Sequence, residues 1–156
     1  MNEKLFYKIK FDNKNNINSK INLINNYNIE IEDIKNRKKY LNSLKRFLKK
    51  HKKNLIKFIN LEVHKTIEES KNEFNYALEF IDYSISTISS YKFERKTSKS
   101  RKIFYKSSGS VFAITPYNDP LAGMIRKIAP ALAAGSTIIM KTSANCIYLC
   151  KYIEKF

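Results

Sequence analysis

The chain has 156 residues, with 30 Lys and Arg against 14 Asp and Glu, which gives a formal net charge of +16 at pH 7. This length suits one domain, or a piece of a larger one, built on a single hydrophobic core. No apolar stretch approaches the roughly 18 to 20 residues that a membrane-spanning helix needs, and no signal-peptide core follows Met1. We therefore expect a soluble, cytoplasmic protein.

The excess of positive charge has two explanations. Strongly basic proteins often bind nucleic acid, anionic membranes or acidic partners. Alternatively, Lys, Asn and Ile are frequent everywhere because the codons of an AT-rich genome impose them. We favour the compositional explanation, because it needs no binding site and because the aromatic residues fall on core-facing positions rather than in base-stacking motifs. A basic nucleic-acid-binding or scaffold protein stays the alternative, although no specific nucleic acid is expected.

The first 33 residues form the first predicted region. Residues 5–11 alternate between apolar and other side chains, which predicts a short strand with one buried face. Residues 12–28 are rich in Asn and Lys, and we interpret them as an irregular connection.

The second region, 34–108, contains two long amphipathic helices. Asp33 stands where an N-cap belongs, and apolar residues then recur every three or four positions, with His51 on the same stripe as a core-edge residue. A capping box of Thr66 and Glu69 starts the second helix. We interpret most of its acidic residues as a solvated face rather than a paired-carboxylate site; they are Glu68, Glu69, Glu73, Glu79 and Asp82.

A connecting arm, 94–108, contains a short predicted strand around Phe104, and a third region, 109–156, follows it. This region begins with an apolar run, 111–114, which has no alternation and is typical of a parallel strand covered on both faces. Residues 121–134 predict a helix that ends at Gly135, and 136–140 predict a second buried strand. The order predicts a right-handed βαβ unit, although the glycine fingerprint of dinucleotide-binding folds and the phosphate-loop pattern are absent.

Two segments of this unit resemble the aldehyde dehydrogenase superfamily. Residues 113–121 read A-I-T-P-Y-N-D-P-L, and 127–143 read K-I-A-P-A-L-A-A-G-S-T-I-I-M-K-T-S. Upstream, L-E-V-H-K at 61–65 is similar to the family's L-E-T-G-K. The resemblance implies an α/β fold with an incomplete, truncated Rossmann-like parallel sheet preceded by the two long helices.

The resemblance also implies a function: oxidation of an aldehyde to a carboxylic acid with NAD or NADP, through a thiohemiacetal on a cysteine. Asn118 would be the oxyanion-hole amide, which stabilises charge as it develops on the substrate oxygen. Lys141, in a K-x-S context with Ser143, would reach the adenosine ribose of the cofactor. The backbone that lines the nicotinamide side would belong to Ile114, Thr115, Pro116 and Tyr117. No metal site is expected, and the complete enzyme would be a homo-oligomer acting on a small aldehyde.

Three positions depart from the family pattern. Thr142 stands where Pro is common, and Ala144 stands where a Glu often pairs with the ribose hydroxyls, so NADP is as compatible as NAD. Asp119 replaces a frequent Phe, which favours small oxygenated aldehydes as substrates.

Two catalytic groups of the family are not found in these 156 residues: the general-base Glu in an E-L-G-G context and the nucleophilic Cys. Cys146 and Cys150 lie just after the K-x-S segment, four residues apart, and no base or metal-ligating pair flanks them. We therefore expect the N-terminal part of an aldehyde dehydrogenase that is inactive alone and poorly folded alone, because only two strands of its sheet are present.

Overall fold

The computed structural model describes residues 12–25, 33–92 and 94–156. The strand predicted at 5–11 lies outside these residues. Within them the chain forms six helices and four strands, in the order α1 (Lys14–Asn25), α2 (Ile34–Lys50), α3 (Lys52–Val63), α4 (Ile67–Ser90), β1 (Glu94–Lys96), β2 (Lys102–Phe104), β3 (Val111–Ile114), α5 (Pro120–Ala133), β4 (Ile138–Lys141) and α6 (Ile147–Ile153).

Helix α1 corrects the prediction of an irregular connection at 12–28. The Asn13 side chain caps it by accepting a hydrogen bond from the backbone N–H of Asn16 (2.9 Å). Its apolar residues Ile17, Ile21 and Ile24 recur at helical spacing, and the helix contacts β4. The abundance of Asn, a weak helix former, hid this pattern.

The first predicted long helix is two helices, because the chain leaves helical geometry at His51. The backbone N–H of His51 bonds to the carbonyls of Phe47 (3.1 Å) and Leu48 (3.2 Å), and the helix resumes one residue later. Its imidazole Nδ1 lies 3.0 Å from the Tyr152 hydroxyl at the edge of the core, as predicted. The Asp33 N-cap is confirmed, since its carboxylate accepts from the backbone N–H of Asn36 (2.9 Å).

The capping box of α4 is confirmed in both directions, with Thr66 Oγ1 accepting from Glu69 N–H (3.1 Å) and Glu69 accepting from Thr66 N–H (2.8 Å). The helix packs against α2, α3 and α5. Their shared core consists of aliphatic and aromatic side chains, among them Leu41, Leu44, Leu48, Leu55, Ile59, Phe74, Ile81, Leu121, Ile125 and Leu149. None of the described helices is both long and apolar enough to cross a membrane.

The connecting arm holds a β-hairpin rather than a single strand. Strands β1 and β2 pair antiparallel, with Glu94 opposite Phe104 and Lys96 opposite Lys102. Phe104 is 63% exposed, so the hairpin contributes little to the core.

The βαβ unit is confirmed: β3 and β4 pair in parallel, with Val111 opposite Ile138 and Ile114 opposite Lys141. Helix α5 crosses between them and ends before Gly135, whose φ of 72° is the left-handed conformation predicted there. The expectation that both faces of β3 are covered was wrong, because Phe112 and Ile114 are 64% and 61% exposed. Side chains of a strand alternate between faces, and in the described chain the helices cover only the other face.

Both ends of α5 receive charged side chains from the helical layer. Arg37 of α2 is fully buried and donates from Nη1 to the carbonyl of Ala133 (2.5 Å) at the helix C-terminus. A cation at this end complements the negative pole of the helix dipole. At the other end lies the carboxylate of Glu73.

Candidate functional site

The turn after β3 carries Asn118. Its first residue, Thr115, is buried and donates its backbone N–H to the carbonyl of Lys141 (3.1 Å), which joins the ends of the two parallel strands. Pro116, Tyr117 and Asn118 are exposed beyond it. The Asn118 carboxamide donates from Nδ2 to Asp119 Oδ2 (3.1 Å). A carboxamide has a second N–H, which is the group that an oxyanion would meet.

The turn after β4 carries the other two predicted site residues. Lys141, the last residue of the strand, is exposed beside Ile114 of β3. Ser143 is half-buried, and its hydroxyl accepts from the backbone N–H of Asn145 (3.2 Å). The structure therefore brings the ends of both strands to one edge of the sheet, where open α/β sheets bind ligands.

A buried carboxylate holds the start of α5. Glu73 of α4 has only 3% of its side chain exposed, and its Oε1 accepts from the backbone N–H groups of Leu121 (2.8 Å) and Ala122 (3.2 Å). Its Oε2 accepts from Lys65 Nζ (2.6 Å). The same ammonium donates to Asp119 Oδ1 (2.5 Å), so the charge of Glu73 is compensated where it is buried.

A second carboxylate holds the start of α6. The two oxygens of Glu62, in α3, accept from the backbone N–H groups of Tyr148 (2.6 Å) and Leu149 (3.0 Å). Burial raises the pKa of Glu62, and the hydrogen bonds from Leu149 and Tyr148 only partly oppose this rise.

These two contacts constrain how the site could hold a nucleotide. Helix N-termini attract phosphates because their first N–H groups are unpaired and the helix dipole is positive there. In α5 and α6 those groups are engaged by Glu73 and Glu62, whose charges would repel a phosphate. A dinucleotide pyrophosphate would therefore have to lie away from both helix ends.

A small cavity of about 50 Å³ adjoins the Asn118 turn. It lies between α4 and the first turns of α5, with the rings of Tyr76 and Phe80 on one side and Asn118, Asp119 and Arg126 on the other. Its lining combines apolar rings with both signs of charge. It is much smaller than the roughly 300–1,000 Å³ of a typical ligand pocket.

Burial raises the thiol pKa of both cysteines. Cys146 is 1% exposed, and burial, with the nearby Glu62 charge, raises the pKa of its thiol to about 12. Burial also raises the pKa of Cys150. A raised pKa favours the protonated thiol over the reactive thiolate at neutral pH. Among the described residues, no group of three His, Cys, Asp or Glu side chains could hold a metal ion.

The sequence interpretation missed the roles of Glu73 and Glu62. It expected most of the five acidic residues of α4 to be solvated, and four of them are exposed, but it did not single out Glu73 as the buried one. A signal was present, because Glu73 shares its helical face with Ala77 and Ile81, four and eight residues further on.

Comparisons with known proteins agree with this architecture. The model of the aldehyde dehydrogenase family matches residues 25–155. The D-glyceraldehyde dehydrogenase (NADP+) of Picrophilus torridus is 35% identical over 129 residues, covering 76% of this chain and 25% of the relative. The mitochondrial succinate-semialdehyde dehydrogenase of Arabidopsis thaliana is 37% identical over 97 residues, covering 60% and 18%. The chain thus spans about a quarter or less of these relatives.

Solved structures show the same fold. Betaine aldehyde dehydrogenase from Staphylococcus aureus, in complex with NAD+, superposes with a TM-score of 0.70 and 28% identity over 80% of this chain and 26% of that one. A double mutant of that enzyme reaches a TM-score of 0.83 at 24% identity over 99% of this chain and 34% of the other. With the family match spanning most of its residues and the βαβ unit in place, this chain belongs to the aldehyde dehydrogenase family.

Proposed function

We propose that this chain supplies the oxyanion-stabilising amide and one side of the NAD(P) site of an aldehyde dehydrogenase. The observation that carries the proposal is the pairing of Ile114 with Lys141, which sets the turn of Asn118 and the ammonium of Lys141 at the same edge of the sheet. The family match gives these residue types their chemical context.

Asn118 has the chemistry for the oxyanion. When a thiolate attacks an aldehyde, the carbonyl oxygen gains negative charge, and a preorganised N–H donor stabilises the transition state in which that charge develops. The Asn118 side chain is exposed at the end of a rigid strand, with one N–H engaged by Asp119 and one available. Removal of one such donor typically lowers kcat by about 100-fold to 1,000-fold.

The donor set at the strand ends fits a dinucleotide. Lys141 offers an exposed cation for ribose hydroxyls or a 2′-phosphate, and Ser143 offers a hydroxyl. The backbone of 114–117, in which all residues but the buried Thr115 are exposed, offers a surface for the nicotinamide. When bound, NAD(P)+ supplies the two-electron oxidant. We propose either cofactor, because NADP+ stands in the name of the D-glyceraldehyde relative and NAD+ is bound in the betaine aldehyde dehydrogenase.

We further propose a small oxygenated aldehyde as substrate. Asp119 and Arg126 place both charges beside the cavity next to Asn118, where hydroxyl or carboxylate groups of a substrate could be bound. Relatives named D-glyceraldehyde, lactaldehyde and succinate-semialdehyde dehydrogenase act on aldehydes of this kind.

The remaining elements of the proposal concern the complete enzyme. The nucleophilic thiolate would come from residues other than these 156, because burial raises the thiol pKa of both Cys146 and Cys150. The general base would come from outside them as well, because no Glu here stands in an E-L-G-G context. The complete enzyme would be a cytoplasmic homo-oligomer. In it, 1–33, 34–108 and 109–156 would act as an N-terminal segment, a helical layer with its arm, and the start of the cofactor-binding sheet.

A chimera tests the proposal. This chain would replace the matching quarter of the Picrophilus torridus D-glyceraldehyde dehydrogenase, and aldehyde-dependent NADPH formation would be measured. We expect an active chimera whose kcat falls by about 100-fold to 1,000-fold in Asn118→Ala. The purified chain alone should produce no NAD(P)H with any aldehyde.

The matched control is Asn72→Ala, which removes an exposed carboxamide from α4 and should leave kcat unchanged. An active chimera in which Asn118→Ala retains full kcat would refute the role of Asn118. Oxidation by the chain alone, lost in a cysteine variant, would refute the assignment of the thiolate to other residues.

A further inference from the structure

At the start of α5, the N-cap residue Asp119 does not accept the helix N–H groups, and Glu73 of α4 accepts them instead. Asp119 is the N-cap residue, and an N-cap Asp normally accepts from the N–H groups of the second and third helical residues. Here those groups, on Leu121 and Ala122, bond to Glu73 instead, and Asp119 makes no cap hydrogen bond. Pro120, at the first helical position, has no N–H to satisfy.

The carboxylate of Asp119 is thereby released for other partners. Its Oδ1 accepts from Lys65 Nζ (2.5 Å), and its Oδ2 accepts from the Asn118 carboxamide (3.1 Å). We propose that Lys65, Glu73 and Asp119 are positioning residues that fix the orientation of the Asn118 carboxamide. This proposal rests on the proposed function, because a fixed Asn118 carboxamide matters for catalysis only if it stabilises the oxyanion.

Burial explains why this arrangement orders an exposed group. The Asp119 side chain is 55% exposed, so its contacts would add little order if all of its partners were equally free to move. Lys65 is 20% exposed and is tied to Glu73, which is 3% exposed. Lys65 thus links the buried Glu73 to Asp119 through two ion pairs. Asp119, held in this way, accepts the hydrogen bond that orients the Asn118 amide.

Lys65 is itself held on its backbone side. Asn60 donates from Nδ2 to the Lys65 carbonyl (2.6 Å), and His64 turns the chain in the left-handed region, with φ of 58°. Burial lowers the pKa of Lys65, but hydrogen bonds to Asp119 and Glu73 outweigh it and raise the pKa overall. The ammonium is therefore charged throughout the neutral range. The 61–65 segment thus contacts the starts of both helices, α6 through Glu62 and α5 through Lys65.

Nuclear magnetic resonance of the ¹⁵N-labelled chain tests the proposal without any catalytic turnover. The side-chain NH₂ signal of Asn118 would be assigned by its loss in Asn118→Ala. In the unaltered chain we expect restricted motion and an NH₂ proton shifted away from its free-amide position by the hydrogen bond to Asp119, unlike the exposed Asn72. Asp119→Leu should make the Asn118 signal mobile and move it to free-amide shifts, whereas Asp119→Asn, which keeps an acceptor oxygen, should retain part of the order.

Variants of Lys65 provide a second, independent part of the same NMR test. Lys65→Met should mobilise the Asn118 amide as Asp119→Leu does, Lys65→Arg should restore its order, and Lys57→Met, which removes an exposed lysine from α3, should change nothing. Asp119 is exposed, so its variants keep the fold even where Lys65→Met does not. The proposal is overturned if the Asn118 amide is already mobile in the unaltered chain, or stays ordered in Asp119→Leu while the backbone spectrum of α5 is native.

Discussion

Helices α5 and α6 follow neighbouring parallel strands and begin in the same way, yet they are held very differently. Each starts on a carboxylate from the helical layer, Glu73 for α5 and Glu62 for α6. Glu73 is paired with Lys65, and the far end of α5 is held by Arg37. Glu62 receives two backbone N–H groups, but its pKa is raised by burial, so its charge is poorly compensated.

The difference matches the roles proposed for the two turns. The α5 turn carries the proposed oxyanion amide, whose direction would matter, and α5 is held at both ends by buried charge. The α6 turn would present Lys141 and Ser143 to a dinucleotide, which is flexible and would tolerate more freedom. We infer that the turn before α5 is held rigidly and that the turn before α6 is more mobile.

Removal of the Glu73 carboxylate should have the largest effect. Glu73→Leu leaves two backbone N–H groups and the Lys65 ammonium without their buried acceptor, which costs about 3 kcal/mol of unfolding free energy. Glu73→Gln keeps an acceptor for the N–H groups and should cost less. Denaturant titration measures both, with the exposed Glu79→Gln on the same helix as control. Equal, small losses in all three variants would show that α5 does not depend on Glu73.

Arg37→Met should have the second largest effect. It removes a charged hydrogen bond to the Ala133 carbonyl but keeps most of the buried side-chain volume, so we expect a loss of about 2 kcal/mol. Hydrogen exchange should become faster in the last turn of α5 and stay unchanged in α6. Arg46→Met, at an exposed position of the same helix, is the matched control. Faster exchange in α6 than in α5 would break the distinction between the two helices.

Glu62→Gln should have the smallest effect, and it should depend on pH. Because folding raises the pKa of Glu62 above its ordinary value of 4.5, its contribution to stability is full below that pH and is lost as the pH rises through the raised pKa. The variant should therefore gain stability relative to the unaltered chain as the pH rises above 4.5. Denaturant titration across this range checks the sign, and a pH-independent difference would contradict it.

The sequence predicted the parts of the fold that follow local rules. The Asp33 cap, the Thr66 capping box, the glycine at the end of α5 and the parallel strand pair all depend on residues close in the chain. The break at His51 was missed because the apolar pattern continues through it. The helix at Lys14–Asn25 was missed because many of its residues are weak helix formers.

The site was predictable only in part, for a similar reason. Asn118 lies in the turn after β3 and Lys141 at the end of β4. The family resemblance and the βαβ pattern both predicted a site in these places. Glu73 and Arg37 act over 48 and 96 residues of sequence, and each occupies a position that the apolar stripe of its helix shows to be buried. Their partners are backbone groups, which carry no sequence signal.

Packing differed from expectation as well. Both faces of β3 were expected to be covered, but Phe112 and Ile114 stay exposed on its outer face. The apolar faces of the long helices bury one another, and Leu41, Leu48 and Phe74 are at most 1% exposed. Poor folding of the isolated chain stays an untested prediction. With the helical core packed, we expect it to take the form of aggregation through the outer face of β3 rather than loss of the helical layer.

Titration of the ¹⁵N-labelled chain with NADP+ and NAD+, followed by nuclear magnetic resonance, tests the central claim most directly. The account predicts weak, saturable shifts at 114–117 and 141–143, at the ends of β3 and β4, which Lys141→Met diminishes and Lys57→Met leaves in place. Absence of shifts at saturating cofactor would contradict it. So would shifts centred on the basic surface at 49–57, which would mean that the positive charge of the helical layer, rather than the strand ends, binds the nucleotide.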